Sequence, residues 1–236
     1  NSIVYEVGPG PGALTRGLLM QGASRVVAVE MDHRCIEALN DVSKAYNGAL
    51  TVFHGNALEI DECELIGDTE DKDIHIIANL PYNVGTALLV KWMTAQKWKP
   101  WFSSLTLMFQ KEVGMRIVAE PRSKAYGRLS VLCQYRADVE ILFDIPRQAF
   151  IPPPKVTSSI VHITPRSEVV DAPKQKILER VVSAAFNQRR KMLRASLKAL
   201  GTDPSPKLYA AGILETARAE ELSVEDFSKL ALEYQS

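Results

Sequence analysis

The apolar positions of the first half of the chain switch repeatedly between two periods. Ile3–Glu6 is a short β-rich run, and after a glycine-rich turn Thr15–Gln21 begins a helix. Arg25–Glu30 reads as a second strand. His33–Tyr46 then has helical spacing, with Ile36, Leu39 and Val42 near one stripe. Leu50–His54 and His75–Ala78 are the next strands, separated by an acidic connection over Asp61–Asp73. Thr86–Thr94 reads as a helix carrying Leu88, Leu89 and Trp92, and Leu105–Phe109 as a further strand. Strands alternating with helices predict a mostly parallel sheet covered on both faces, an α/β fold.

Later the pattern changes. Leu129–Gln134 and Val139–Asp144 are short β-rich segments. Phe150-Ile151-Pro152-Pro153-Pro154-Lys155-Val156 is a stiff loop, because proline fixes φ and lacks an amide donor. Ser159–Ile163 alternates as a last strand. Beyond Pro165 the spacing is helical over Lys174–Phe186, Arg189–Leu200, Pro206–Ala211 and Val224–Glu233, with Ser223 placed as an N-cap. The expected division is an α/β domain over residues 1–164 and a small helical domain over 165–236.

With 236 residues, 46% hydrophobic and 24% charged, the composition is that of an ordinary globular protein. No run of ~18 apolar residues predicts a membrane span, and Asn1–Tyr5 carries no signal-peptide pattern. The chain enters its first strand almost at once, as if cut just before it. Cys35, Cys63 and Cys133 have no metal-ligand spacing and read as reduced thiols, and four scattered histidines add no metal signature. Net charge is zero but unevenly spread. Residues 1–80 hold 5 Lys+Arg against 13 Asp+Glu, and residues 81–236 hold 23 against 15. Lys174–Lys198 holds 8 basic residues and one acid, Glu179. Such a segment is either ordinary solvated helix surface or a nucleic-acid contact.

Gly8, Gly10 and Gly12 lie between the first strand and a helix, where side chains would block close approach of a ligand to the backbone. A helix N-terminus adds free amides and positive potential. Gly8-x-Gly10-x-x-Ala13 equally satisfies a loose dinucleotide fingerprint, so this loop alone leaves a methyl donor, a nicotinamide or flavin, and a purely structural turn open. Glu30 ends the second strand, followed by Met31 and Asp32. An acid there can accept both hydroxyls of a ribose or simply be a solvated strand end. Asn56, in Gly55-Asn56-Ala57, can read the edge of an adenine or serve as a turn residue.

Asn79-Leu80-Pro81-Tyr82 decides between these readings. A hydride-transfer site needs a hydride path and usually an acid/base, and this segment offers neither. It gathers a carboxamide, backbone carbonyls and an aromatic ring at the end of a strand. The N6 lone pair of adenine is delocalised into its ring. Hydrogen bonds from the amino group to Asn79 Oδ1 and a carbonyl near Leu80 favour a nitrogen with its lone pair aimed at a methyl donor. Tyr82 and Phe150 offer flat faces for a base removed from its stack.

These residues identify a family. The chain resembles the small-subunit ribosomal RNA adenine N6,N6-dimethyltransferases. Glu6–Gly12 is similar to the family's Glu-x-Gly-x-Gly-x-Gly motif, Glu30 to its ribose-binding acid, and Asn79–Tyr82 to its Asn-Leu-Pro-Tyr motif. Phe150–Ser158 matches Phe-x-Pro-x-Pro-x-Val-x-Ser. Gln110–Val113 with Arg116, Tyr126–Ser130 and Phe186–Lys191 also follow the family. The likeness implies a Rossmann-like class I methyltransferase with a small C-terminal all-helical domain. It implies S-adenosylmethionine as cofactor, S-adenosylhomocysteine as product, and no metal. Glu6, Gly8, Gly10, Gly12, Glu30, Met31, Asn56, Ala57 and Asn79 are the expected cofactor residues. Asn79, Leu80, Pro81, Tyr82 and Phe150 are the expected catalytic set. Arg147, Lys155, Arg189, Arg190, Lys191, Arg194 and Lys198 are the expected RNA contacts. The implied substrate is a pair of adjacent adenosines in the 3′-terminal hairpin of the small-subunit RNA, within an immature subunit whose assembly the protein monitors. A monomer in the bacterial cytoplasm is expected; related proteins act in mitochondria or nucleoli.

Two departures stand out. Asn56 occupies a position where the family usually has Asp, which predicts weaker cofactor binding and a gain from Asn56→Asp. The family's N-terminal segment with its Gln-x-Phe-Leu-like motif is not in the sequence. Two other readings compete: a large-subunit ribosomal RNA adenine methyltransferase, and a noncatalytic assembly or transcription-associated protein.

Overall fold

The computed structural model describes residues 2–69, 72–81, 83–95, 98–167 and 173–235. Among these, seven strands form one sheet: β1 (Ile3–Val7), β2 (Arg25–Glu30), β3 (Leu50–His54), β4 (Ile74–Asn79), β5 (Ser104–Gln110), β6 (Ala137–Ile145) and β7 (Ser158–Pro165), in the order β3-β2-β1-β4-β5-β7-β6. The β1–β2, β1–β4, β2–β3 and β4–β5 pairs are parallel. The β5–β7 pair is antiparallel, with Leu105 opposite Ile163 and Gln110 opposite Ser158. Every residue of β1 is buried, as a strand covered on both faces requires. The order reverses beside β1, so the carboxyl ends of β1 and β4 open a crevice, the usual ligand position in such sheets.

Helices connect the strands: α1 (Ala13–Met20), α2 (His33–Ala45), α3 (Glu62–Ile66), α4 (Gly85–Met93) and α5 (Lys111–Ile117). The stripe read on α2 is the buried one, since Leu39 and Val42 pack with Val4, Leu19, Val26, Ala28 and Leu50. Asp32 caps α2 by accepting from Arg34 N–H. The acidic connection contains α3, capped by Asp61, which accepts from the amides of Cys63 and Glu64.

The chain separates into two compact units. One comprises Asn1–Lys91, Pro100–Gly114 and Glu140–Pro165, the other Trp92–Lys99, Met115–Val139 and Arg166–Ser236. The longest segment of the second unit begins at Arg166. The sequence pattern gave no sign that two earlier segments belong with the C-terminal part. That unit holds α6 (Arg128–Gln134), α7 (Gln175–Asn187), α8 (Leu193–Ser196), α9 (Ser205–Ala210) and α10 (Val224–Glu233) around Val131, Leu178, Val182, Leu208, Phe227 and Leu230.

Two expectations are corrected. Leu129–Gln134 is helix, within α6, because its ends are held by tertiary bonds. Ser130 Oγ accepts from Gly127 N–H and donates to Arg116 O, and the Gln134 amide donates to Ile117 O and Ala119 O. The helix expected over Arg189–Leu200 starts only at Leu193 and tightens to a 3₁₀ turn at Leu197–Leu200. Met192 forms a β-bridge with Arg218, and Leu193 N–H donates to Ala217 O, which holds Met192 extended after the turn over residues 188–190. Ser223 caps α10 as read, in reciprocal hydrogen bonds with Asp226.

Candidate active site

The glycine loop is shaped by two carboxylates. Gly8 and Gly12 have φ of 68° and 86°, backbone that only glycine adopts without strain. A Cβ on Gly12 would also lie 3.1 Å from Leu39 Cδ2. Gly10 N–H donates to Glu30 Oε2 at 2.8 Å, and Asp32 N–H donates to Glu30 Oε1 at 2.8 Å. The Glu30 side chain therefore joins the loop after β1 to the turn after β2. Each carboxylate oxygen retains a lone pair, which suits the two hydroxyls of a ribose.

Glu6 sits behind the loop, 1% exposed. Its Oε2 accepts from the Thr15 hydroxyl at 2.7 Å, tying β1 to the first turn of α1. Burial pushes its carboxyl up to about 7; the Thr15 bond opposes this and the charge of Glu30 adds to it. Buried in this way, Glu6 holds the loop in shape rather than lining the open cleft.

That cleft is lined by Val7, Gly8, Val29, Glu30, Met31, Gly55, Asn56, Ala57, Leu58, Pro81, Asn83, Val84 and Leu88. One wall is the turn after β3. Asn56 Oδ1 accepts from Leu58 N–H at 3.1 Å and its Nδ2 donates to Glu59 Oε1 at 2.7 Å, so Asn56 is a turn residue as well as a cleft residue. Pro81 and Val84, just before α4, and Leu88 within it also line the cleft.

A second cleft is lined by Asn79, Leu80, Pro81, Met108, Phe150, Pro152 and Pro154. Asn79 is the last residue of β4, opposite Met108 of β5. Leu80 is buried and anchors the turn, while Asn79 is exposed. Pro81 O accepts from the amides of Val84 and Gly85, which starts α4. The proline loop is pinned at its far end, where Lys111 N–H donates to Thr157 O. Asp144 accepts from Lys111 Nζ and Ser159 Oγ at 2.6 Å each, and these bonds hold its carboxyl below the usual range. Pro81 lines both clefts, so they adjoin at this residue. Tyr82, the expected stacking residue of the motif, lies outside the described residues.

Of the expected cofactor residues, Gly8, Glu30, Met31, Asn56 and Ala57 line the first cleft, Gly10 supports Glu30, and Gly12 precedes α1. Asn79 lines the second cleft and not the first. Val84 and Leu88 were missed, although they follow the Asn79 motif at helical spacing i, i+4 and could have been found from it. Arg147 and Lys155 are exposed near the proline loop, and Arg190, Lys191, Arg194 and Lys198 are exposed in the second unit. Arg189 is committed within that unit: it donates to Glu220 Oε2 at 2.8 Å, to Lys124 O at 2.9 Å and to Ser123 O.

The strand order, the glycine loop with its acid after β2, and the paired clefts define a Rossmann-like methyltransferase. The chain belongs to the family described as ribosomal RNA adenine dimethylase, whose profile matches residues 1–236. It is 58% identical over 228 residues to "Ribosomal RNA small subunit methyltransferase A" of Azorhizobium caulinodans, covering 97% of this chain and 77% of that protein. It is 55% identical over 230 residues to the protein of that name from Ruegeria pomeroyi, covering 98% and 81%. Its fold is similar to a dimethyladenosine transferase from Plasmodium falciparum, with TM-score 0.76 and 26% identity over 99% of this chain and 90% of that one. It is similar in fold to the 23S rRNA methyltransferase ErmE, with TM-score 0.66 and 23% identity over 99% and 91%. Enzymes of this family and fold use S-adenosylmethionine. The lining of the first cleft fits that group: the Glu30 carboxylate suits a ribose, Asn56 with apolar Val84 and Leu88 suits a flat base with a polar edge, and a Cβ on Gly8 would approach Pro81 Cδ to 3.5 Å.

Proposed function

We propose that this protein dimethylates the N6 atoms of two adjacent adenosines in the 3′-terminal hairpin of small-subunit ribosomal RNA, on an immature subunit. The carrying observation is the shared Pro81 wall. A methyl donor in the Glu30–Asn56 cleft and an adenine in the Asn79–Phe150 cleft would be brought together at the edge the two clefts share beside Pro81. The relatives named for small-subunit methylation, at 55–58% identity, support the choice of RNA.

S-adenosylmethionine, held by residues such as Glu30 and Asn56, would supply an electrophilic methyl and would be left as S-adenosylhomocysteine. The chain's own residues do the rest. Asn79 Oδ1 and the carbonyl near Leu80 accept from the N6 amino group, which orients the nitrogen lone pair. Phe150 holds the extruded base by its face, worth about 1–3 kcal/mol per base. The attacked nitrogen becomes acidic as its bond to the methyl forms, and water takes the proton. This route calls for no metal. Arg147 and Lys155 beside the base cleft, with Arg190, Lys191, Arg194 and Lys198 in the second unit, would meet phosphates and position the RNA. The protein works as a cytoplasmic monomer in this reading, with methylation tied to subunit assembly.

The test is transfer of labelled methyl to undermethylated small and large subunits side by side. Label in the small-subunit RNA alone is expected. Label in the large-subunit RNA would replace this reading. Subunit binding without transfer would favour a noncatalytic assembly role.

A further inference from the structure

Lys91 stands two turns into α4, on the face that begins with Val84 and Leu88 in the wall of the cofactor cleft. Its ammonium reaches from its own helix to the segment after β3. It donates to Ala57 O at 3.0 Å, Ile60 O at 2.7 Å and Glu62 Oε1 at 2.8 Å. A lysine ammonium has three hydrogens, and here three acceptors use them. Two are backbone carbonyls of the turn that carries Asn56, Ala57 and Leu58. The third is a carboxylate with only 8% of its side chain exposed, at the start of α3.

We infer that Lys91 is a positioning residue for the cofactor: its three bonds set the Asn56–Leu58 turn against α4 and so fix the width of the slot between them. The inference rests on the cofactor reading of that cleft. A flat ring is held by two walls only when their separation is fixed, and Lys91 joins these two directly. The turn is short and exposed at Leu58 and Glu59, and its own bonds, Leu58 N–H to Asn56 Oδ1 and Glu59 N–H to Asn56 O, are internal to it. Helix α4 in turn begins at the carbonyl of Pro81, the residue shared by both clefts. Lys91 thus relates the adenine slot to the segment that carries the Asn79 motif.

Removing Lys91 alone would take a charged donor from the buried Glu62 carboxylate and threaten folding. The decisive variant is therefore Lys91→Met with Glu62→Met, which removes both charges and leaves the two carbonyls without their donor. Calorimetry with S-adenosylhomocysteine, thermal unfolding, and the dependence of methyl transfer on S-adenosylmethionine are measured together. The expected result is a double variant that melts near the parent yet binds about tenfold more weakly, with KM for the donor raised in proportion and kcat at saturation retained. Parental affinity and KM in a folded double variant would overturn the inference while leaving the cofactor reading intact. Failure of the parent protein itself to bind S-adenosylhomocysteine would overturn both.

Discussion

Gly10 and Glu30, twenty residues apart, are joined by a 2.8 Å hydrogen bond from the backbone N–H of one to Oε2 of the other. The bond makes the glycine loop and the acid after β2 a single device. The same carboxylate that would hold a ribose also sets the loop that would face the methionine end of the cofactor. Glu30→Ala is expected to weaken S-adenosylhomocysteine binding by at least about 10-fold, through lost charged hydrogen bonds and a loosened loop. Glu30→Gln should fall between, because its amide retains one acceptor oxygen. Calorimetric Kd values check the order; equal affinity of Glu30→Ala and parent would contradict it.

Glu6 makes stability depend on pH. Its carboxyl titrates near 7 when folded against 4.5 for an ordinary glutamate. The folded state holds the proton to higher pH than the unfolded chain. Its contribution is thus whole below about pH 4.5 and is lost as pH rises through about 7. Glu6→Gln keeps an acceptor for Thr15 and removes the titration. The variant should therefore gain on the parent between pH 5 and pH 8, by on the order of 2 kcal/mol. Denaturant unfolding at both pH values measures this; a difference between variant and parent that does not change with pH would contradict it.

Asn56 gives a coupled prediction. Replacing it with Asp supplies a charged acceptor for the cofactor's adenine amino group, but sets that charge beside Glu59, whose Oε1 now accepts from Asn56 Nδ2 at 2.7 Å. Asn56→Asp is expected to tighten S-adenosylhomocysteine binding, by a larger factor when Glu59→Gln is also present. Four Kd values form the cycle. Weaker binding on adding Asp to the Glu59→Gln background would reject this role for residue 56.

The two clefts predict separable defects. Asn79→Ala should lower the single-turnover rate of methyl transfer by about 100-fold, the usual loss for one preorganised hydrogen-bonding group. Its Kd for S-adenosylhomocysteine should stay near parental, because Asn79 lines the second cleft. Phe150→Ala should weaken productive RNA binding by about 1–3 kcal/mol and likewise spare the cofactor. Loss of cofactor binding in either variant would show that the clefts do not divide the work in this way.

What could be read in the sequence was mostly local. The strands of the first half announce themselves as β-branched runs between turns, and the buried stripe of α2 through its spacing. The Asn79–Tyr82 and Phe150–Val156 motifs pointed to residues that the fold brings together, Asn79 and Phe150 in one cleft. The segment of α6 misled because Val131, Leu132 and Cys133 are all buried, so no period shows. The break before α8 depends on Arg218, and the commitment of Arg189 on Glu220; neither partner is near in sequence. The same holds for Lys91, about thirty residues from its acceptors. Asn56 and Glu59, three residues apart, are by contrast a pair that turn chemistry alone could have revealed.

The most direct test of the account is to incubate the protein with S-adenosylmethionine and undermethylated immature small subunits, then map the modified nucleosides by mass spectrometry. N6,N6-dimethyladenosine at two adjacent positions of the 3′-terminal hairpin is the predicted result. No dimethyladenosine there, with cofactor and subunit binding both demonstrated, would contradict the proposed reaction.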